Sequence, residues 1–353
     1  MATPLTPSAE PSIGALTMQR LERRLIVLIP LIAFATTLIA WRLPDLLPLI
    51  IAVDLWLLGY HHVIATFTRT AFDKEMALRY WRLNLLLPLI VFIAVLLIGK
   101  LGGAVLITTI YIHWQLYHYI RQSEGISKSF AARQINFSLP NSLAFRAAFY
   151  TVPAMSFLEM SAASSGSFLG FPVWLPQLPR SILNAGWIFC GALLVHAVWK
   201  LVHVSKEARE SSDYVTYIFS HFMVFFVAYG IFSEVTLSWL MANIWHNTQY
   251  LFFVWKANHY RFKGQISSQT KVLSTLSLPR NFWLYITTCL IITYLLYDHI
   301  VPAGIDAIES NLTADAVLAA AIIYQTINFH HYIVDAIIWR RRKETNFKKI
   351  LSV

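Results

Sequence analysis

The sequence contains little charge and few cysteines. Its 353 residues are only 13% charged, against roughly 25% in soluble domains, which argues against a soluble globular protein. Its two cysteines, Cys190 and Cys289, lie in apolar runs and form neither a CxxC-type metal motif nor a disulfide framework. The net charge of +10 does not indicate nucleic-acid binding, because the basic residues occupy short loops between apolar runs.

Long apolar runs are abundant, and hydrophobic residues make up 57% of the chain. Many runs reach the ~20 residues that a membrane-spanning helix needs, and they lack the alternation over about ten residues that is typical of barrel strands. The sequence therefore predicts an all-α fold, a polytopic integral membrane bundle of about ten transmembrane helices. The predicted spans lie near residues 25–43, 47–68, 83–101, 104–120, 143–163, 182–203, 214–232, 235–255, 282–297 and 314–339.

The loop charges orient this bundle. Lys and Arg concentrate before the first span, after every even-numbered span and in the tail that follows residue 340, whereas the connection before the last helix is acidic. The positive-inside bias then places both termini in the cytoplasm. The fifth span contains Arg146, Pro153 and Glu159, so a re-entrant or broken helix stays open for it.

The same pattern divides the chain into three parts. We expect a disordered cytoplasmic tail over residues 1–19, a single transmembrane helical domain over 20–340, and a basic cytoplasmic tail over 341–353. Residues 164–180 are rich in Gly, Ser and Pro and are interpreted as a loop.

Eleven of the twelve histidines fall toward the predicted cytoplasmic face, and only His299 falls on the other side. Ionisable side chains inside lipid are costly, so such a cluster indicates a functional site. Counting from the cytoplasmic helix ends places six of them at one depth, roughly 12–15 Å down. These six are His61, His113, His196, His221, His246 and His330. The five nearer the surface are His62, His118, His203, His259 and His331.

Imidazole is the commonest protein ligand for transition metals, so the histidine set predicts a metal site. The candidate ligands are His61, His62, His113, His118, His196, His221, His246, His330, His331 and Asp335. Candidates to hydrogen-bond those ligands are Asp54, Gln115, Gln249 and Tyr250. The alternative for any single membrane histidine is an interhelical hydrogen bond, which we favour for His203 and His259.

Many imidazoles with few carboxylates suit iron, zinc or copper(II). We predict non-haem iron, one or more ions, ahead of haem or zinc. A buried, cytoplasm-facing site suggests an oxygenase whose partners are the membrane, a lipid-soluble substrate such as a carotenoid or fatty acyl chain, and an electron donor.

Four segments carry a resemblance to a known family. YHHVIATF, IHWQLYHY, IWHNTQY and NFHHYIVDAIIWR resemble segments of the bacterial Brp/Blh-type carotene-cleaving dioxygenases. This resemblance implies an iron-dependent enzyme of the bacterial inner membrane that splits a carotenoid, with His61, His113, His246 and His330 or His331 as ligands. The chain resembles the membrane desaturase and hydroxylase superfamily more remotely, because it lacks HxxxH and HxxHH boxes.

Three other functions stay open at this stage. A b-type haem protein would use pairs of axial histidines from His113, His196, His246 and His330. A metal or proton transporter would also place ionisable groups in the membrane, although the spans show no clear inverted repeat. The third is a pH or metal sensor based on histidine.

Overall fold

The computed structural model describes residues 13–131, 142–207, 212–312 and 314–339, and nearly all of them are helical. The helices are α1 (Ile13–Arg42), α2 (Leu47–Asp54), α3 (Tyr60–Thr70), α4 (Lys74–Arg79), α5 (Leu87–Ala131), α6 (Leu143–Ala163), α7 (Arg180–Glu207), α8 (Ser212–Phe226), α9 (Val235–Phe262), α10 (Lys271–Leu276), α11 (Phe282–Leu295), α12 (Val301–Leu312) and α13 (Ala316–Ile338). Short π-helical segments join some of them, at Leu55–Gly59, Arg82–Leu86, Val227–Ile231 and Leu296–Ile300.

Among the described residues, seven helical stretches are long and apolar enough to cross a membrane. They are Arg20–Arg42, Pro44–Thr70, Arg82–Ala131, Arg180–His203, Ser212–Ile231, Pro279–Leu312 and Ala316–Ile338. Large apolar side chains such as Leu85, Ile188 and Trp283 point outward, as expected of a surface that faces lipid. The predicted all-α class is confirmed, and these stretches indicate a membrane protein.

Two predicted spans form helices of lower apolarity. The fifth coincides with α6, an unbroken helix despite Pro153, and the eighth with α9. Neither is among the seven apolar stretches. In α9 the reason is a set of buried polar side chains, Asn243, His246, Asn247 and Gln249.

The third and fourth spans form one continuous stretch that bends at Gly103. This residue has φ +64° and ψ −165° inside α5, a region that is essentially open only to glycine. The bend separates the two predicted spans, which the apolar pattern divides at the same place.

The boundaries outside the spans differ from the prediction. Helix α1 begins at Ile13, within the expected tail of residues 1–19, because a helix can continue past the apolar run that identifies it. Residues 1–12 of that tail and the whole of the expected C-terminal tail, 341–353, lie outside the described residues. The predicted loop after α6 contains a small antiparallel hairpin, Ser167–Phe168 with Phe171–Pro172.

Four helices form a closed ring of contacts at the centre of the fold. Helix α3 packs against α9 and α13, and α5 packs against the same two helices. Helices α1 and α8 cover α9, and α6 packs between α7 and α8. The inward faces of α3, α5, α9 and α13 therefore share one interior space.

Candidate metal centre

One histidine from each of these four helices meets in that space. His62 comes from α3, His118 from α5, His246 from α9 and His331 from α13, and all four are buried. Around the cluster, neighbouring ring centroids are 4.5 Å (His62–His331), 5.2 Å (His331–His118), 5.0 Å (His118–His246) and 5.5 Å (His246–His62) apart. We call this arrangement the four-histidine cluster.

The nitrogens of the four-histidine cluster have the spacing of metal ligands. Ligand atoms of His62, His118 and His246 all lie within 4.8 Å of one another, and so do those of His118, His331 and Asp335. The Nε2 atoms of His62 and His331 are 2.9 Å apart. Two nitrogens that bind one ion at about 2.1 Å and at right angles would be about 3.0 Å apart.

Two of the four rings carry a buried nitrogen without a partner. The Nε2 atoms of His118 and His246 have no hydrogen-bond partner among the described residues. Buried polar atoms are almost always hydrogen-bonded, and each exception requires an explanation such as an ion or a water. Four converging imidazoles with a nearby carboxylate fit a transition-metal ion.

The π-helical segment Leu55–Gly59 orients His62. In this segment the amide of Tyr60 donates to the Leu55 carbonyl five residues back, a wide turn that is frequent at functional sites. Nδ1 of His62 donates to the Gly59 carbonyl oxygen at 2.6 Å. A carbonyl only accepts, so Nδ1 carries the proton and the Nε2 lone pair points toward the other rings.

His331 is held by a network around Thr66. The Thr66 hydroxyl oxygen lies 3.0 Å from His331 Nδ1, 2.7 Å from the Tyr250 hydroxyl and 3.3 Å from Asp335 Oδ1. The Tyr250 hydroxyl donates to the same carboxylate oxygen at 2.6 Å. Asp335 Oδ2 lies 3.6 Å from His331 Nε2 and has no hydrogen-bond partner among the described residues.

A second network supports His246. The ring of Tyr119 packs on His246, with centroids 4.1 Å apart. The Tyr119 hydroxyl accepts from Gln115 and donates to Asn243 Oδ1, both at 2.5 Å, and Asn243 donates to Asp54 Oδ2 at 2.6 Å. Three of the four residues predicted to support the ligands, Asp54, Gln115 and Tyr250, therefore lie in these two networks.

The fourth of these residues, Gln249, lies elsewhere. Its side-chain oxygen accepts from the Tyr217 hydroxyl at 3.1 Å, and it lines an apolar cleft with residues of α1 such as Leu25 and Ile29. The structure shows no hydrogen bond between Gln249 and a histidine of the cluster among the described residues.

Each adjacent histidine pair contributes only one ring to the cluster. Neighbouring residues on a helix differ by about 100° in direction, so His61 and His330 face other surroundings. His61 Nδ1 donates to the Leu57 carbonyl oxygen at 3.2 Å, and His330 Nε2 donates to the Leu83 carbonyl oxygen at 2.7 Å. Neither residue belongs to the two groups of closely spaced ligand atoms.

Three further predicted ligands also lie outside the cluster. His113 donates to the Thr109 carbonyl oxygen of its own helix at 2.8 Å. His196 is exposed on α7 and packs against Trp199. His221 is buried, but both its ring nitrogens are occupied, one by the Ser123 hydroxyl at 2.9 Å and the other by the Phe149 carbonyl oxygen at 3.1 Å.

The depths counted from the helix ends therefore grouped the histidines differently from the way in which the structure groups them. Only His246 of the predicted deep layer belongs to the cluster, and the other three rings come from the layer predicted to lie nearer the surface. The residues predicted to support the ligands did not include Thr66, Tyr119 or Asn243. Thr66 could have been found, because it follows His62 by four residues and so lies on the same helix face.

Comparison with known proteins gives no match. No protein-family model matches this chain, and neither a curated protein nor a solved structure is significantly similar to it.

Proposed function

We propose that this protein is a membrane-embedded, histidine-ligated metal oxidoreductase, a non-haem iron oxygenase that acts on a lipid-soluble substrate. The observation that carries the proposal is the four-histidine cluster, in which two buried Nε2 atoms, those of His118 and His246, have no hydrogen-bond partner among the described residues. His61 also has a buried Nε2 without a partner among the described residues, but it belongs to neither group of closely spaced ligand atoms, whereas His118 belongs to both and His246 to one.

The ligand geometry favours a single ion. The two groups of closely spaced ligand atoms share His118, and one ring nitrogen binds one ion. His62, His118, His246 and His331 would then hold the ion, with Asp335 beside them. Among the described residues, neither group contains a cysteine. Ligands that are imidazole nitrogens and carboxylate oxygens favour iron, zinc or copper(II) over copper(I).

A bound iron would supply one-electron and oxygen chemistry, and the chain would supply the surroundings. Tyr332 stacks on His118 with centroids 4.3 Å apart, and Tyr119 covers His246. These aromatic rings exclude water, while the carbonyl of Gly59 and the hydroxyl of Thr66 fix the orientation of two ligand rings. A site with these aromatic surroundings would accept a carotenoid or an acyl chain that reaches it from the lipid.

Close packing of the rings favours a non-haem ion over haem. A haem needs two axial histidines on opposite faces of a wide porphyrin. Here four rings contact one another edge to face around one point, with centroids no more than 5.5 Å apart between neighbours.

The proposal also includes the number of spans and their orientation in the membrane. Ten spans, with both termini in the cytoplasm of a bacterium and the cluster toward that side, agree with the loop charges. An electron donor would then dock on the cytoplasmic face if the reaction consumes external electrons.

Metal analysis and a visible spectrum of the purified protein test the metal site. We expect about one iron per chain and no Soret band. His118→Ala and His246→Ala should lose most of the iron, while His196→Ala, at a lipid-exposed position, should keep it. A Soret band, or protein without metal after purification free of chelators, would overturn the proposal.

Oxygen uptake tests the enzyme activity in the same preparations. Adding a carotenoid in detergent should start oxygen consumption by the wild type and by His196→Ala, but not by His118→Ala. An iron-loaded wild type that consumes no oxygen with carotenoid or acyl-lipid substrates would retain the metal site but not the oxygenase.

A further inference from the structure

The hydrogen-bond roles around His62 and His331 limit how the cluster can be protonated. His62 Nδ1 faces the Gly59 carbonyl, so in a neutral ring the proton is there and Nε2 has only a lone pair. His331 Nε2 lies 2.9 Å from that lone pair. Without a cation, His331 Nε2 must carry a proton and donate it to His62.

An ion between these two nitrogens requires the other form of His331. Its Nε2 must then present a lone pair, and the ring proton must be on Nδ1. The partner of Nδ1 has to donate a proton in the ion-free form and accept one in the ion-bound form. A hydroxyl group can do both, whereas a carbonyl group only accepts and an ammonium group only donates.

We propose that Thr66 is the positioning residue that makes both forms of His331 possible, an inference that rests on the proposed metal site. In the ion-free form the Thr66 hydroxyl donates to His331 Nδ1, at 3.0 Å. In the ion-bound form His331 Nδ1 donates to Thr66, whose hydroxyl turns toward Tyr250 at 2.7 Å.

The rest of the network accepts this reversal without rearrangement. Tyr250 donates its own proton to Asp335 Oδ1 at 2.6 Å, so its oxygen can accept from Thr66. The ion-bound form thus has one continuous direction of donation, from His331 through Thr66 and Tyr250 to Asp335. The ring of His331 carries one proton in both forms, so its charge does not change.

Metal titration of three variants tests this role. Thr66→Val keeps the shape of the side chain and removes the hydroxyl, which leaves the Nδ1 proton of the ion-bound form unpaired. We expect Co²⁺ binding to metal-free protein, followed by visible absorption, to weaken about 10–100-fold, as for other residues that orient a metal ligand. Thr66→Ser should restore most of the affinity.

A matched control is available on the same helix. Thr68 is equally buried, and its hydroxyl donates to the Ala65 carbonyl oxygen at 2.7 Å, so Thr68→Val should bind Co²⁺ like the wild type. The thermal stability of metal-free Thr66→Val should resemble that of Thr68→Val, because each substitution removes the hydrogen bonds of one buried hydroxyl group from the ion-free protein. Wild-type affinity in Thr66→Val, or failure of Thr66→Ser to restore it, overturns the role of Thr66 alone. A wild type that binds neither Co²⁺ nor Fe²⁺ overturns the metal site and this inference together.

Discussion

Adjacent histidines occur twice in the chain, and in each pair only the second ring faces the cluster. His62 and His331 approach each other, while His61 and His330 donate to backbone carbonyls of the Leu55–Gly59 and Arg82–Leu86 segments. The two members of a pair are chemically identical and differ only in direction around the helix. Substitutions within each pair therefore distinguish a specific ion site from a general histidine-rich environment.

Alanine substitutions within each pair should have opposite outcomes. Removing His62 or His331 deletes one of the four proposed ligands, so we expect Co²⁺ affinity to fall by more than about 100-fold, beyond the effect of losing a supporting residue. His61→Ala and His330→Ala should stay within a few-fold of the wild type. Titration of all four metal-free proteins measures this, and equal losses within a pair would contradict the assignment of the ligands.

At this scale the sequence could indicate the set of histidines but not which of them meet. Distance along a helix gave approximate depth, and it grouped His246 with His113 and His196. The direction of a ring depends on helix rotation, and rotation depends on packing and on π-helical segments such as Leu55–Gly59. Neither is encoded in the apolar pattern of one chain. Asp335 and Tyr250 were found because each lies four residues after a histidine of the cluster.

The apolar pattern of the sequence predicted the helices more accurately than it predicted the ligands. Helix α6 spans Leu143–Ala163, the predicted range of the fifth span, and α9 begins at Val235, where the eighth was predicted. Polar residues inside α9 did not obscure it, because its apolar residues continue on the other faces. The extension of α1 to Ile13 and the hairpin after α6 were missed, since both lie where hydrophobicity carries no information.

At Gly103 helix α5 bends, and the bend separates the predicted third and fourth spans. A side chain there would meet no atom within 4 Å, so only the backbone conformation opposes substitution. We expect Gly103→Ala to lower the free energy of unfolding by about 1–3 kcal/mol, measured by denaturation in mixed micelles.

Gly125 provides the control in the same helix. An added Cβ at Gly125 also meets nothing within 4 Å, and its φ is not positive. Gly125→Ala should therefore be neutral or stabilise the helix by up to about 1 kcal/mol. Equal effects of the two substitutions would show that the bend at Gly103 does not need glycine.

Across the whole molecule, ion pairs concentrate at one end of the bundle. Lys256 pairs with Glu22, Arg261 with Asp73, and Arg23 with Asp213, and these residues belong to the helix ends and loops predicted to be cytoplasmic. At the same end, Glu124 accepts from three basic side chains and from a tyrosine. The four are Arg121, Lys128, Arg146 and Tyr150. Ion pairs that link different helices hold this end together, next to the four-histidine cluster.

Cysteine labelling in intact cells tests the orientation of the entire bundle. The native Cys190 and Cys289 are each only 1% exposed, so they give little background. Ser165 and Gln265 are exposed, in the connections after α6 and α9 respectively. Ten spans with both ends inside place Ser165 on the outer face and Gln265 in the cytoplasm. A membrane-impermeant maleimide should label Ser165→Cys in intact cells and Gln265→Cys only after permeabilisation. Labelling of Gln265→Cys alone in intact cells would contradict the predicted orientation, and with it the cytoplasmic position of the cluster.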